Sequence, residues 1–428
     1  MVGTAAALAT VYVFLRVVLP LTLPDAASHL TGGQDFRVFH STARHFLRGG
    51  ELYRVALEWS AHPTRVYPHG LYFYPPPSVL LFVPFALLPY KAAAIAWTLM
   101  NYGLLVPIVF FLGRLSLPPG RDPAVSVALV VVWLTLAWPL TWSLYLGQVS
   151  VMVLFCLAGG LYFLERRRPW ACAFLLVGAA MLKVIGAFPL LYLARCKWRK
   201  MAAPTALLLL LPLGTMPREW GVYVRHVMPM QSTIHRAFPR FVLKNDNQSV
   251  YALLSRTLTR NTETGNQLHR PLLRDALWRL WSLTVLGTVL WVVLRRPRSE
   301  EQAVLGAIAL IVAPLLAHPV CFSHYSLWLG PQFVVLARAT TRLKRQPWRL
   351  TGAAVLAAGV LLVSLPPDLV FLRLLRVDVA QWTFGPWLAS YPTLAMVALF
   401  VANLWLFWLS GRTPVLPREG RPGEPLSG

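Results

Sequence analysis

Acidic residues are scarce in this sequence: 16 Asp and Glu stand against 40 Lys and Arg, and charged residues make up only 13% of the chain. A soluble domain carries roughly twice that share of charge, about 25%, so no water-soluble surface is encoded here. Cysteine is equally sparse. Cys156, Cys172, Cys196 and Cys321 form no Cys-x-x-Cys pair and have no histidine at metal-ligand spacing, so neither a metal site nor a disulfide framework is implied. A Gly-x-Gly-x-x-Gly turn is missing, as is any soluble segment bearing an Asp-x-Asp pair, which leaves no nucleotide-binding domain. The net charge of +24 comes without a basic domain or an aromatic RNA-reading motif, so nucleic acid is not an expected partner.

Apolar residues, by contrast, are plentiful and come in long blocks. They account for 57% of the 428 residues, with a mean hydropathy of +0.56. The stretches 4–23, 125–136, 206–213 and 353–365 show no polar face at helical or strand period. A helix apolar all round belongs in lipid, and crossing the hydrocarbon core takes about 20 such residues. The sequence therefore predicts an all-α polytopic membrane protein with about 11–13 transmembrane helices. Residues 1–410 read as one transmembrane domain and 411–428 as a flexible basic cytoplasmic tail. Residues 1–23 lack a positively charged start and are interrupted by Arg16, so they read as a retained first helix rather than a signal peptide.

The basic residues mark the topology. They cluster in the short turns 114–121, 166–168, 195–200, 295–298 and 338–349 and in the tail after Arg412, and such turns stay cytoplasmic. Paired crossings between them put both termini in the cytoplasm and two large segments outside, 24–77 and 217–271. Within these, 36–48 and 249–260 read as amphipathic helices lying along the interface. Residues 74–89 are expected to be an interfacial or re-entrant piece. The interval 170–193 is short, with basic flanks on both sides. It reads either as two short helices broken near 183–189, with Lys183 at the outer tip, or as one straight crossing that violates the charge rule.

On this topology Asp35, Gln148, Lys183, Asn247, Gln248 and His324 all fall on the outer side, from different loops. Polar groups at membrane level are costly unless paired or functional, so their convergence suggests a site. Each has a plainer reading. Asp35 caps an amphipathic helix or acts as a general base. Lys183 snorkels to the interface or binds an anionic phosphate. His324 is an ordinary loop histidine or donates to a departing oxygen. Glu51 and Glu58 read as solvated.

At these residues the chain resembles glycosyltransferase family 87, membrane enzymes of the GT-C superfamily. The resemblance runs through Asp35-Phe36-Arg37-Val38-Phe39, Gly49-Gly50-Glu51-Leu52-Tyr53, Tyr72-Phe73-Tyr74-Pro75-Pro76-Pro77 and Pro84-Phe85-Ala86-Leu87-Leu88-Pro89. It continues through Gly147-Gln148-Val149-Ser150, Met181-Leu182-Lys183, Asn247-Gln248-Ser249 and His324-Tyr325. The sequence departs from the family pattern at Ser150, where Asn is expected, and at Val184-Ile185, where Lys-Pro is expected.

The resemblance implies a GT-C fold and inverting transfer of a sugar, typically mannose. The donor is a polyprenyl-phosphate sugar and the acceptor a lipid or glycan hydroxyl, with no cofactor and no metal. The site would sit on the extracytoplasmic face of the plasma membrane. Asp35 is the implied base, Lys183 and His324 the implied donor-phosphate ligands, and Tyr74, Gln148, Asn247 and Gln248 the candidate substrate contacts. A multi-pass transporter or flippase of a lipid-linked or small anionic substrate is the alternative. Carriers usually place a carboxylate deep in the bundle, and no acidic residue here falls in the middle of an apolar block. A non-catalytic lipid-binding or assembly subunit is a third reading.

Overall fold

The computed structural model describes residues 33–61, 71–116, 123–196, 198–231, 247–262, 265–268, 271–343, 346–365 and 390–410. The expected first helix, Arg16 and the basic tail lie outside the described residues. Apart from one small ribbon, the described chain is built from helices, as its apolar blocks predict, and the protein is an all-α polytopic membrane protein.

Among the described residues five helices are long and apolar enough to cross a membrane: Tyr90–Leu115, Pro271–Leu294, Glu300–Ala317, Gln346–Ser364 and Tyr391–Ser410. The pair Ala124–Leu136 and Trp138–Leu146, bent by 57°, is together as long and apolar as a further span. Four shorter apolar helices, Ser150–Glu165, Pro169–Leu182, Val184–Cys196 and Lys200–Thr215, fill the rest of the bundle. The expected 11–13 crossings include residues 4–23, which are not among those described.

Lipid and protein divide the burial between them. Pro271–Leu294 is 11% buried within the protein and turns Leu283, Leu286 and Leu290 outward, whereas Glu300–Ala317 is 78% buried and forms the axis of the bundle. Around that axis pack Pro271–Leu294, Ala187–Cys196 and Tyr391–Ser410. Buried amides tie helices together where lipid offers no partner. Gln302 donates to the Phe407 carbonyl, Asn403 to that of Leu305, and Gln332 to that of Leu399. The axis helix starts at Ser299, whose hydroxyl accepts from the Gln302 N–H at 3.1 Å.

The two ends of the bundle differ in charge. At one end Arg338 meets Glu165 at 2.5 Å and Arg342 meets Glu301 at 2.5 Å, so the basic turns at 166–168, 295–298 and 338–349 share an end. At the opposite end lie the start of α1 (Gln34–Leu47), the short α3 (Ser78–Ala86) that follows α2 (Arg54–Ala61), and the turn after Leu146. The end of Glu300–Ala317 is there too. α3 has nine residues and spans about 14 Å, too short to cross, as expected of an interfacial or re-entrant piece. The amphipathic helix expected over 249–260 is Val250–Thr257, and it is followed by an antiparallel ribbon, Thr259–Thr262 with Gly265–Leu268, that the sequence pattern does not predict.

Candidate active site

Asp35 is the second residue of α1, in its first turn, where the helix dipole favours a carboxylate. The close approach of two chain segments sets its neighbour. Gly147 ends the helix Trp138–Leu146 with φ +71°, and a Cβ there would lie 2.6 Å from that of Phe36. Only glycine fits both conditions. Trp97 fixes the same turn by donating to the Gly147 carbonyl at 3.0 Å. The next residue, Gln148, is thereby held against α1 and donates from Nε2 to Asp35 Oδ2 at 2.5 Å. Its Oε1 accepts from the Tyr74 hydroxyl at 2.9 Å. Tyr74 is buried by an aromatic cluster with Phe39 and Tyr72, and its carbonyl accepts from the Tyr53 hydroxyl at 2.7 Å.

Lys183 faces this group from another element. The helix Pro169–Leu182 stops at Lys183, whose backbone is extended, and the chain turns through Val184–Gly186 into Ala187–Cys196. The crossing is therefore broken, as one of the two sequence readings expects. Gly186 folds back so closely that a Cβ on it would sit 2.5 Å from the Ala180 nitrogen. The Lys183 ammonium lies 4.3 Å from the centre of the Tyr74 ring and 4.7 Å from that of Tyr325, and donates to the Tyr325 hydroxyl at 3.2 Å. It makes no ion pair among the described residues, although Asp35 is within electrostatic reach. An ammonium has three donors, and one is used.

His324 completes the run. It is 2% exposed, packed against Phe322 and edge-on to Tyr325 at 4.4 Å between ring centres. Neither ring nitrogen has a hydrogen-bond partner among the described residues. Asp35, Gln148, Tyr74, Lys183, Tyr325 and His324 thus form one continuous line of contacts drawn from five separate stretches of chain.

Asn247 and Gln248 stand one layer behind. Asn247 Oδ1 accepts from the Cys321 N–H at 3.0 Å and the Ser249 N–H at 3.2 Å, while its Nδ2 donates to the Pro319 carbonyl at 3.3 Å. The Gln248 N–H donates to the Cys321 carbonyl at 2.6 Å, and Gln248 Oε1 accepts from the Thr393 hydroxyl at 3.1 Å. The buried Asn247 side chain and the Gln248 backbone thus clamp the 319–322 loop that leads into His324. Arg256 reinforces the clamp, donating to the Asn247 carbonyl at 2.9 Å and to Ser390 Oγ at 3.1 Å.

Tyr325 and Arg256 are not singled out by the sequence reading. Tyr325 follows His324 directly, which is the available signal, whereas Arg256 looks like one more loop arginine. Glu51 and Glu58 remain exposed, pairing with Arg218 at 2.6 Å and Arg54 at 3.6 Å. Among the described residues no disulfide joins any two cysteines, and no three His, Cys, Asp or Glu side chains gather as a metal would require.

A multi-pass bundle carrying an acid, a cation and an unpartnered imidazole at one end is the class of molecule that emerges. The family model for glycosyltransferase family 87 matches residues 72–319, more than half of the chain, and the chain belongs to that family. It is therefore a membrane-embedded glycosyltransferase. A polyprenol-phosphate-mannose-dependent alpha-(1-2)-phosphatidylinositol mannoside mannosyltransferase of Mycobacterium tuberculosis is 27% identical, covering 86% of this chain and 84% of its own. Its namesake in Mycolicibacterium smegmatis is 25% identical over 78% and 75%. A polyprenol-phosphate-mannose-dependent phosphatidylinositol pentamannoside mannosyltransferase of Mycobacterium tuberculosis is 24% identical over 90% and 83%. No solved structure matches the chain.

Proposed function

We propose that this enzyme transfers a mannosyl group from a polyprenyl-phosphate donor to a hydroxyl of a phosphatidylinositol mannoside-type glycolipid. The site faces the extracytoplasmic side of the plasma membrane, with both termini in the cytoplasm, because the short basic turns gather at the opposite end of the bundle. The observation that carries the reading is the line from the Asp35 carboxylate to Lys183 and the buried, unpartnered His324. Buried polar groups without partners are expensive, and a phosphate beside Lys183 and His324 would give the imidazole a partner and the ammonium a second one.

In the proposed reaction the acceptor hydroxyl attacks the anomeric carbon from the face opposite the phosphate. A new carbon–oxygen bond forms to the acceptor. The bond from the anomeric carbon to the phosphate oxygen breaks, its electron pair leaves with the phosphate, and the hydroxyl proton passes to the Asp35 carboxylate. A single displacement of this kind inverts the anomeric centre. Lys183, and His324 through a ring N–H, stabilise the charge that builds on the leaving phosphate. Gln148 orients Asp35, Tyr74 orients Gln148, and Asn247 and Gln248 act one step back by positioning the loop that bears His324. The multi-pass transporter reading is set aside, since membership of a glycosyltransferase family favours group transfer.

The test is Asp35→Asn in purified protein given labelled polyprenyl-phosphate mannose and a phosphatidylinositol mannoside. Turnover is expected to fall about 100- to 10,000-fold, the usual contribution of a general base, with unfolding temperature unchanged. Transfer near the wild-type rate by folded Asp35→Asn would remove Asp35 from the mechanism.

A further inference from the structure

Pro271–Leu294 is fastened to the bundle unevenly. Toward the site end, Trp278 and Trp281 donate to the Ala317 and Leu316 carbonyls at 3.1 and 3.0 Å. Toward the basic end, the helix instead borders a trench of about 690 Å³ that it shares with Tyr391–Ser410. Both helices pack on the axis helix, and Trp291 meets Phe407 edge-on at 5.5 Å between ring centres. Thr284, Gly287, Thr288 and Trp291 form one wall, and Trp405 and Trp408 stand on the other. The Thr284 and Thr288 hydroxyls are spent on carbonyls of their own helix, those of Leu280 and Thr284. The lining therefore suits hydrocarbon. A Cβ on Gly287 would meet nothing within 4 Å, so the trench is open at its middle.

A lipid-facing trench is ordinarily filled by any lipid that passes, but this one has a charged mouth. Residues 284, 288, 291 and 295 follow one stripe of the helix, so Arg295 stands where the trench reaches the basic end. Trp291 sets it there twice. The Arg295 backbone N–H donates to the Trp291 carbonyl at 3.2 Å, and its guanidinium lies 4.6 Å from the centre of the Trp291 ring. Arg296 follows directly. Both arginines are exposed, and neither has an acidic partner among the described residues. From Thr284 to Arg295 the helix rises about 16 Å, against about 15 Å for one leaflet's share of the hydrocarbon core. The trench is thus one leaflet deep. Guanidinium groups take phosphate oxygens two at a time, and basic pockets between membrane helices suit anionic headgroups.

We propose that the trench seats one anionic phospholipid from the leaflet at the basic end of the bundle. Its phosphate lies on Arg295 and Arg296, and one acyl chain runs past Trp291, Trp405 and Trp408 to Gly287. The lipid supplies packing to a helix that is only 11% buried within the protein. This seat is independent of the reaction proposed above, whose groups gather at the other end of the bundle.

The test is native mass spectrometry of the full-length protein in detergent, loaded with equimolar phosphatidylglycerol and phosphatidylcholine of identical chains. Arg295→Gln/Arg296→Gln, Gly287→Phe and the two combined are compared with the wild type. Each of the first two should retain one phosphatidylglycerol fewer than the wild type, and the combined variant should lose that same single lipid. Phenylalanine is a better helix former than glycine and its ring enters open space, so Gly287→Phe should unfold at the wild-type temperature in lipid-free detergent. Should the ring disturb folding, the exposed arginine pair carries the test alone. Arg166→Gln/Arg167→Gln, which removes two charges from another turn at the same end, should keep the wild-type count.

An unchanged count in folded Arg295→Gln/Arg296→Gln or Gly287→Phe overturns the proposal. A loss of two lipids in the combined variant would separate the arginines from the trench and overturn it as well. An equal loss in Arg166→Gln/Arg167→Gln would show that retention follows net charge alone, with the same consequence. Loss of phosphatidylcholine in place of phosphatidylglycerol would leave an unselective trench and no anionic seat.

Discussion

The acid side and the basic side of this line of contacts are built on opposite plans. Asp35, Gln148 and Tyr74 sit at helix starts and turns fixed by Gly147 and Trp97, and each polar atom named there hands a hydrogen bond to the next. Lys183 and His324 stand where helices break, with ammonium donors unspent and both imidazole nitrogens unpartnered among the described residues. One side is complete in the protein alone. The other is left short of partners, at a cost of about 1–3 kcal/mol per buried unsatisfied group. On the reaction proposed above, the basic side is the one whose ligand brings oxygens with it, and the acid side is the one whose geometry is set beforehand.

Substitutions can break this contrast. The largest effect is expected from Lys183→Met, which removes the cation that the proposed reaction sets against the leaving phosphate. kcat/KM for the donor should fall about 100- to 1,000-fold, the range for losing one transition-state donor, in initial-rate measurements with labelled donor. A loss no greater than that of Gln148→Leu would erase the asymmetry.

Asn247→Ala should act differently, through the fold. It strips acceptors from the Cys321 and Ser249 N–H groups, so thermal unfolding should show a destabilisation of about 2–4 kcal/mol alongside reduced activity. Normal stability combined with a raised KM would return Asn247 to direct substrate contact. The smallest effect is expected from Gln148→Leu, which loosens but does not remove Asp35. A drop of about tenfold in kcat with little change in KM is anticipated, since one oriented hydrogen bond to a carboxylate is lost.

A second pair of regions shows how much was legible beforehand. Pro271–Leu294 and Glu300–Ala317 have nearly equal hydropathy, 1.7 and 1.6, yet one faces lipid and the other is enclosed by protein. Hydropathy reports exclusion from water and is blind to what does the excluding. The same limit applies at the site. Asp35, Gln148, Lys183 and His324 stand out because polar residues are rare near such blocks, and they do come together. Asn247 and Gln248 stand out for the same reason, and the structure puts the Asn247 side chain on the 319–322 loop and the Gln248 side chain on Thr393. The ribbon Thr259–Thr262 with Gly265–Leu268 escapes notice because Leu268 is its single apolar residue, so no alternation of apolar and polar positions marks either strand.

What the sequence determined by itself was the membrane bundle, the basic character of its short turns and the short list of polar residues worth watching, with the break at Lys183 as one of two readings. Those features follow from local chemistry: apolar side chains leave water wherever they stand, and short basic turns are sorted by charge alone. Only the tertiary structure decided which of those residues touch. Asp35 meets Gln148 across 113 residues of sequence, and Lys183 meets Tyr325 across 142. Contacts at such separation depend on how helices pack and where glycine lets backbones close in, and these are properties of the assembled bundle rather than of any segment within it.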